Sequence, residues 1–303
     1  MDIALIVLFS ILGFGAFCLL YGFFIEPRWV KRRKIAIRFP SYYKRIPCVG
    51  KRIVFFSDLH VGSATSETLL RHRMRAIMRE KPDAIIFGGD LVEERTPLGD
   101  TEFRSAILRA LASLNAPLGK WAIFGNHDVE APRYREWTIS LLREAGFTIL
   151  ENEGMELDGL PVWAFADALH GEPTLDRGSF SCIQKQCARS AGLTDDIIFS
   201  LYLVHETDWF AKSLPAQGPA IVLSGHSHHG QVTFFGIPLI RPPMGIRYWK
   251  GFYRIGDQLT QIVSSGLGTV HIHARFFARP DIVTITFVEN RNRKMSEIEV
   301  IEL

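Results

Sequence analysis

Residues 52–60 read Arg52-Ile53-Val54-Phe55-Phe56-Ser57-Asp58-Leu59-His60, a short apolar run that ends in an aspartate and a histidine two positions apart. Successive apolar residues with no polar alternation mark a strand buried on both faces. The arrangement recurs downstream. Ala84 to Phe87 leads to Gly89-Asp90, and Trp121 to Phe124 leads to Gly125-Asn126-His127-Asp128. Ile197 to Val204 leads to His205-Glu206, and Ala220 to Leu223 leads to Gly225-His226-Ser227-His228. Polar residues just past the carboxyl ends of such strands collect at one sheet edge, where the backbone is rigid up to the last residue and the loops are free beyond it.

The side chains in these clusters narrow the chemistry. They offer oxygen and imidazole donors and no cysteine, a set that suits Mn, Fe or Zn better than a metal preferring thiolate. Asp58, His60, Asp90, Asn126, His205, His226 and His228 make seven donors. That is too many for one four-coordinate ion and fits two adjacent ions sharing a bridging carboxylate.

The ordered series D-x-H, G-D, G-N-H-D, H, G-H-x-H, spread over Lys51 to Phe287, resembles that of the calcineurin-like metallophosphoesterases. Any one block is weak evidence, whereas all of them in order are specific. Leu203-Val204-His205-Glu206, Ser224 to Val232, Ser265-Gly266-Leu267-Gly268-Thr269 and Arg275-Phe276-Phe277-Ala278-Arg279-Pro280 are similar to the membrane-anchored bacterial branch. That branch includes phosphodiesterases and a UDP-2,3-diacylglucosamine pyrophosphatase of lipid A synthesis. The resemblance implies one ion held by Asp58, His60, Asp90 and His228 and a second held by Asp90, Asn126, His205 and His226, with Asp90 as the bridge. It also implies that His127 is no ligand but stabilises developing charge or protonates the leaving oxygen, with Asp128 fixing its tautomer. The other reading of His127 is a capping or packing histidine. Where the family has G-H-x-H-G-G-Q, this chain has His229 in place of a glycine. That side chain either narrows the site and touches substrate or is a tolerated neighbour.

Ile3 to Ile25 holds no charged residue. At 1.5 Å per residue such a run is long enough for a hydrocarbon core of about 30 Å, and a transmembrane anchor over 1–26 is expected. A cleaved signal peptide fits poorly, because no basic residue precedes the run and no small-x-small site follows it. Arg28, Lys31, Arg32, Arg33 and Lys34 come next, so the positive-inside rule places a single-pass protein in the cytoplasmic membrane with its catalytic part facing the cytoplasm. Pro27 to Lys44 interleaves Trp29, Phe39, Tyr42 and Tyr43 with seven Lys or Arg residues. Residues 27–50 therefore read as a juxtamembrane segment, lying against anionic headgroups or serving as a solvated linker. Net charge is only +3, from 35 basic and 32 acidic residues, so the basic concentration is local and no nucleic-acid partner is expected. Cys18, Cys48, Cys182 and Cys187 form no evident disulfide framework or zinc ribbon.

Residues 51–303 suffice for one α/β domain, and 47% hydrophobic with 22% charged residues is the composition of a folded globule. Helical spacing covers Ser66 to Glu80, Glu102 to Leu114 and Pro132 to Ala145. Strands are expected at Phe147 to Glu151 and Pro161 to Ala166, with Gly154 to Leu160 as the turn between them. The C-terminal part is β-rich, at Gln231 to Phe235, Gly251 to Ile255, Gln261 to Ser264 and Ile282 to Val288. A two-sheet β-sandwich flanked by helices accommodates these elements, and the resemblance implies the same fold. Two stretches read as loops. Asp167 to Asp196 is long and weakly periodic, either a lid or a surface insertion. Arg241 to Phe252 carries Arg241, Arg247, Tyr248, Trp249 and Lys250, which either contact substrate through a second phosphate and stacking or pack at a sheet edge.

The expected activity is metal-dependent hydrolysis of a phosphodiester or pyrophosphate, with two divalent ions, Mn foremost and Fe or Zn as alternatives. The expected partner is a membrane lipid or lipid-linked molecule at an anionic surface, with no obligate protein partner evident. UDP-2,3-diacylglucosamine is the substrate that the resemblance points to. Broad action on nucleotides or phospholipids is the alternative within the class, and a metal-free membrane-tethered scaffold is the alternative outside it.

Overall fold

The computed structural model describes residues 3–41, 43–62, 65–193, 198–213, 218–290 and 297–303. An apolar helix, α1 (Ile3–Leu20), runs on through a π turn at Tyr21–Ile25 and a 3-10 turn at Glu26–Arg28. No residue of α1 is buried against the rest of the chain. Ile3–Arg28, with a mean hydropathy of 2.8, is long and apolar enough to cross a membrane. Its far end is fastened down. Glu26 is fully buried, and its carboxylate accepts the backbone N–H groups of Phe277 and Ala278; Arg28 donates to the carbonyls of Phe23 and Phe24.

The segment expected to lie at the headgroups does something else. Lys31–Phe39 is a strand, β1, inside a sheet. Its residues alternate, with Ile35, Ile37 and Phe39 fully buried and Lys31, Arg32 and Lys34 exposed. Arg33 is 4% exposed and donates to both carboxylate oxygens of Glu302 at 2.7 and 3.1 Å, to Asp281 at 3.2 Å and to the carbonyl of Val263 at 2.7 Å. Composition suggested an interfacial collar, but the alternation Ile35-x-Ile37-x-Phe39 is that of a strand with one face on the core. Tyr42 lies outside the described residues.

From there the chain alternates strands and helices. They are β2 (Arg52–Phe56), α2 (Glu67–Met78), β3 (Ala84–Phe87), α3 (Thr101–Ala112), β4 (Lys120–Ala122), the short α4 (Asn126–Val129), α5 (Pro132–Glu144) and β5 (Thr148–Ile149). Ser66 and Asp100 cap α2 and α3 by accepting the N–H groups of Leu69 and Phe103, satisfying donors that a helix start leaves unpaired. A hairpin follows, β6 (Glu153–Leu157) and β7 (Leu160–Ala164). Its turn is the two residues Asp158-Gly159, with φ of 46° and 83°, not the span Gly154 to Leu160. Asp-Gly at positive φ is the tight turn whose twist matches the flanking strands. The stretch from Asp167 contains α6 (Arg177–Ala191), so it is no aperiodic loop. Asp176 accepts the N–H groups of Gly178 and Ser179 at its start, and Gly192, at φ 70°, closes it in the left-handed conformation. Residues 194–197, at the end of that stretch and the start of the next run, lie outside the described residues. The remaining elements are β8 (Ser200–Leu203), α7 (Trp209–Ser213), β9 (Ala220–Ser224), β10 (Thr233–Phe234), β11 (Ile237–Pro238), β12 (Gly251–Ile255), β13 (Leu259–Val263), β14 (Asp281–Glu289) and β15 (Glu299–Glu302).

The strands form one sheet in the order β15-β1-β14-β2-β3-β4-β5 and another in the order β12-β13-β9-β8-β7-β6, with β10-β11 a separate pair. β2 to β5 run parallel, as do β7, β8 and β9. Ile53 and Phe55 face the second sheet's Val162, Leu201 and Ile221 in a core between the sheets. Val54 and Phe56 face Leu70, Ile77, Leu111 and Leu141 of the helices. A third cluster, Trp163, Tyr202 and Val222 with Phe180 and Phe210, covers the outer face of the second sheet. The layers are therefore helix, sheet, sheet, helix, and the parallel strands point their carboxyl ends to one edge. All cysteines are free, with Cys48 and Cys187 buried and Cys182 exposed.

Arg33 ties the edge strands to β14. Arg33→Ala strands Asp281 in the interior, so unfolding in denaturant should lose about 3–5 kcal/mol. Arg38→Ala, whose pair with Glu299 leaves the two side chains 41% and 40% exposed, should lose less than about 1 kcal/mol. Equal losses would contradict this account of the edge.

Candidate metal centre

The ends of β2, β3, β4, β8 and β9 bring the polar residues of the sequence motifs into one buried cluster. Asp58, His60, Asp90 and His228 offer ligand atoms within 4.8 Å of one another, and so do Asp90, His205 and His226. Asp90 belongs to both sets. Asn126 joins the second, its Oδ1 lying 2.9 Å from His226 Nδ1. The backbone is forced to make this happen. Asp58, His60, Asp90, His226 and His228 have φ between 42° and 66°, a left-handed conformation that costs non-glycine residues about 1–3 kcal/mol and clusters at functional sites. At Gly125 a Cβ would collide with Asp90, so the approach of these two loops requires glycine there.

The distances suit a cation. His60 Nε2 and His228 Nε2 face each other at 2.9 Å; Asp90 Oδ2 is 3.4 Å from His60 Nε2 and 3.1 Å from His205 Nε2; Asp58 Oδ1 is 3.5 Å from His228 Nε2. Such separations are the edges of a polyhedron whose donors sit roughly 2.0–2.2 Å from a central ion. His205 Nε2 faces the Asp90 carboxylate within the cluster, while its Nδ1 is 2.7 Å from the carbonyl of Gly88. Donation to that carbonyl fixes the ring and, in the neutral imidazole, turns the Nε2 lone pair into the cluster. His226 is turned the other way, with Nε2 2.7 Å from the carbonyl of Pro243, so Nδ1 faces the cluster.

Electrostatics favour the ligating form at His60, His226 and His228. Burial holds His60 down at about 3 and His226 at about 4, and it drives His228 well below its usual value. Neutral imidazole is the form that binds a metal. Burial pushes Asp90 up, but the His205 and His127 imidazoles outweigh it and hold that carboxyl well below the usual range. Burial raises Asp58 to about 6. His205, which burial would lower, is raised well above its usual value by the Asp90 and Asp58 carboxylates.

His127 sits at the rim. Its ring centroid is 5.0 Å from that of His60, its backbone N–H donates to Asp90 Oδ1 at 2.9 Å, and its side chain is 17% exposed. The carboxylate beside it is not Asp128. His127 Nδ1 lies 3.4 Å from Glu130, whereas Asp128 is fully buried and accepts backbone N–H groups from Asp90, Leu91, Val92 and Gly125 at 2.8 to 3.3 Å. Asp128 thus binds the β3 and β4 loops together, one residue too far round the helix to meet the His127 ring.

The other predicted contacts gather around the loop 241–252. His229 is half-buried with its ring 5.5 Å from Trp249, and Trp249 lies between Arg241 at 5.1 Å and the Lys250 ammonium at 4.2 Å. Arg247 is over the Tyr248 ring at 5.2 Å, and Tyr248 is buried. A residue that sequence reasoning missed, Asp208, holds this loop by accepting the N–H groups of Ile246, Arg247 and Tyr248. Its signal was only its position, two residues beyond Glu206. Glu206 is fully buried, and burial raises its carboxyl well above the usual range; it accepts from the N–H of Ala168.

An α/β sandwich with this Asp/His cluster at the strand ends defines a metal-dependent phosphoester hydrolase. The chain belongs to the calcineurin-like phosphoesterase family, whose model matches residues 51–236. It is 32% identical over 280 residues to the uncharacterized metallophosphoesterase YkuE of Bacillus subtilis, covering 88% of each chain. It is 27% identical over 282 residues to the phosphodiesterase YaeI of Escherichia coli, covering 91% of this chain and 93% of that one. A shorter match, 34% identical over 104 residues, links it to the UDP-2,3-diacylglucosamine pyrophosphatase LpxG of Chlamydia muridarum, covering 34% of this chain and 30% of that one.

Asp128→Ala would leave buried backbone donors unpaired at about 1–3 kcal/mol each. The expected outcome is a loss of about 3 kcal/mol or more in unfolding free energy with no change at the His127 ring; a loss under about 1 kcal/mol would contradict the loop-binding role.

Proposed function

We propose that this chain is a membrane-anchored hydrolase that holds two divalent metal ions and cleaves a phosphodiester or pyrophosphate bond. The observation that carries the reading is the pair of donor sets sharing Asp90. Asp58, His60, Asp90 and His228 would hold one ion, and Asp90, Asn126, His205 and His226 the other, with Mn the preferred metal and Fe or Zn the alternatives. Bound there, such ions supply a water of lowered pKa and positive charge for the phosphoryl oxygens.

The chain's own residues do the rest. His127 stands at the open side with the Glu130 carboxylate 3.4 Å from its Nδ1, a negative charge that favours a proton on the ring, and through Nε2 the ring would give a proton to the departing oxygen. The backbone of His127 and the N–H of His226 fix the carboxylates of Asp90 and Asp58 at 2.9 Å each. The loop 241–252 reaches the centre through Pro243 and His226, so Trp249, Arg241, Arg247, Tyr248 and His229 are the side chains proposed to meet the rest of the substrate.

A lipid-linked substrate is supported by the apolar helix, which would hold the centre beside a bilayer and raise the effective concentration of anything embedded there. The basic residues after the helix support the reading that the bilayer is the cytoplasmic membrane and that the domain faces the cytoplasm. Within this class, the partial similarity to LpxG supports UDP-2,3-diacylglucosamine, split to UMP and 2,3-diacylglucosamine 1-phosphate.

The test is release of UMP from UDP-2,3-diacylglucosamine in detergent micelles by the full chain with Mn²⁺. Chelated protein and Asp90→Asn should release none, and His127→Ala should be slowed about 10²–10⁴-fold with its metal content unchanged. An aryl phosphodiester cleaved without any UMP release would discard the named substrate. Full activity in Asp90→Asn would discard the mechanism.

A further inference from the structure

The first helix of the globular part breaks its own pattern. In α2 the inward positions are Leu70, Arg73, Met74 and Ile77, an i, i+3, i+4, i+7 face, and one of the four is an arginine. Polar residues at core positions are errors in a fold unless they serve something. Arg73 is 3% exposed, its Nε has no hydrogen-bond partner, and no carboxylate pairs with it among the described residues. Its electrostatic neighbours are further arginines, Arg275 and Arg28; burial, and after it these like charges, bring Arg73 down to about 9, which still leaves it protonated at neutral pH. A buried guanidinium with no anion near it is costly.

Arg73 faces a cavity of about 200 Å³. Arg28, at the end of the membrane-crossing helix, lines it too, with Thr65, Thr269 and His273; among the described residues no acidic one does. Arg28 uses one guanidinium nitrogen on the carbonyls of Phe23 and Phe24, and a guanidinium has five N–H groups. The remaining wall is apolar, from Phe23 and Phe24 on the helix and Leu59 and Leu69 on the globular side. Leu59 is the residue between Asp58 and His60, so the cavity abuts the back of a ligand loop.

We propose that this cavity is a binding site for the phosphate headgroup of an anionic membrane lipid, anchored by Arg73 and completed by Arg28. Bidentate guanidinium contact is the usual recognition of phosphate. A lipid is favoured over free phosphate because the apolar wall continues onto exposed phenylalanines of the helix, Phe23 at 41% and Phe24 at 59%, along which an acyl chain can lie. The site is separate from the metal donors, and its occupancy does not depend on what the centre hydrolyses.

The test is thermal unfolding of the full chain in a maltoside detergent, with dioctanoyl phosphatidic acid, dioctanoylglycerol or inorganic phosphate added. Phosphatidic acid at a hundredfold excess over its Kd should raise the Tm by about 5 °C or more, with smaller rises from phosphate and from the diacylglycerol. Arg73→Met should lose that rise while its Tm without lipid stays equal to or above that of the unsubstituted chain, since an unpaired buried charge has been replaced by an apolar side chain. Arg28→Gln, at an exposed position, should lose part of the rise. A rise that persists in both variants places the lipid elsewhere, the metal centre included, and overturns the proposal. So does a rise that phosphate or dioctanoylglycerol matches.

Discussion

Two aspartates and three histidines buried to at least 95%, joined by fully buried His205, must share a space a few ångströms across. Every feature around them reflects that constraint. Burying Asp58 and Asp90 is unfavourable unless positive charge lies between them; burial keeps His60, His226 and His228 neutral, and a proton on His205 alone balances only one of the two carboxylates. A divalent cation balances both, and it also turns the close approach of nitrogen to nitrogen at 2.9 Å from a conflict into a coordination edge. The left-handed backbone at five of the donors is the local cost of aiming them inward from different strands. Asp128 offsets part of it by tying four backbone donors of two loops to a single carboxylate.

The centre is also mechanically continuous with the apolar helix. Arg275 is fully buried, and its guanidinium donates to the carbonyls of Gly268 at 2.6 Å, Ser265 at 2.7 Å, Ala278 at 2.8 Å and His228 at 3.4 Å. Its backbone N–H donates to Gly22 at 2.9 Å. One residue therefore holds the loop of a candidate ligand and the end of the helix. Tyr21 against Phe276 at 5.7 Å and Arg279 over the Trp29 ring at 4.0 Å strengthen the same junction. A domain joined this way has a set orientation to its helix, unlike one on a flexible linker.

Much of the centre was legible in the sequence, because apolar runs with polar ends carry their chemistry at fixed positions relative to a strand terminus. The buried strands and the helices over 66–80 and 102–114 were equally plain. What misled was composition read in place of pattern. The basic residues of 27–50 concealed a strand whose inward positions alternate, and Arg33 counted as a free charge when it is the centre of an internal ion pair. In 167–196, Asp176 and Gly192 were start and stop signals, but the face between them, with Phe180, Cys187, Ala188 and Ala191 buried, is too weakly apolar to stand out. The pairing of His127 with Glu130 and the loop-holding roles of Asp128, Asp208 and Arg275 depend on contacts across the fold, which no local pattern encodes.

Asp90 belongs to both donor sets, and two ions bound there would share its carboxylate. Metal content of the full chain, purified in detergent, loaded with Mn²⁺ and passed through a desalting column, tests this sharing most directly. Two ions per chain are expected, and one or none in Asp90→Asn. A single ion in the unsubstituted chain, or two retained in Asp90→Asn, would contradict it.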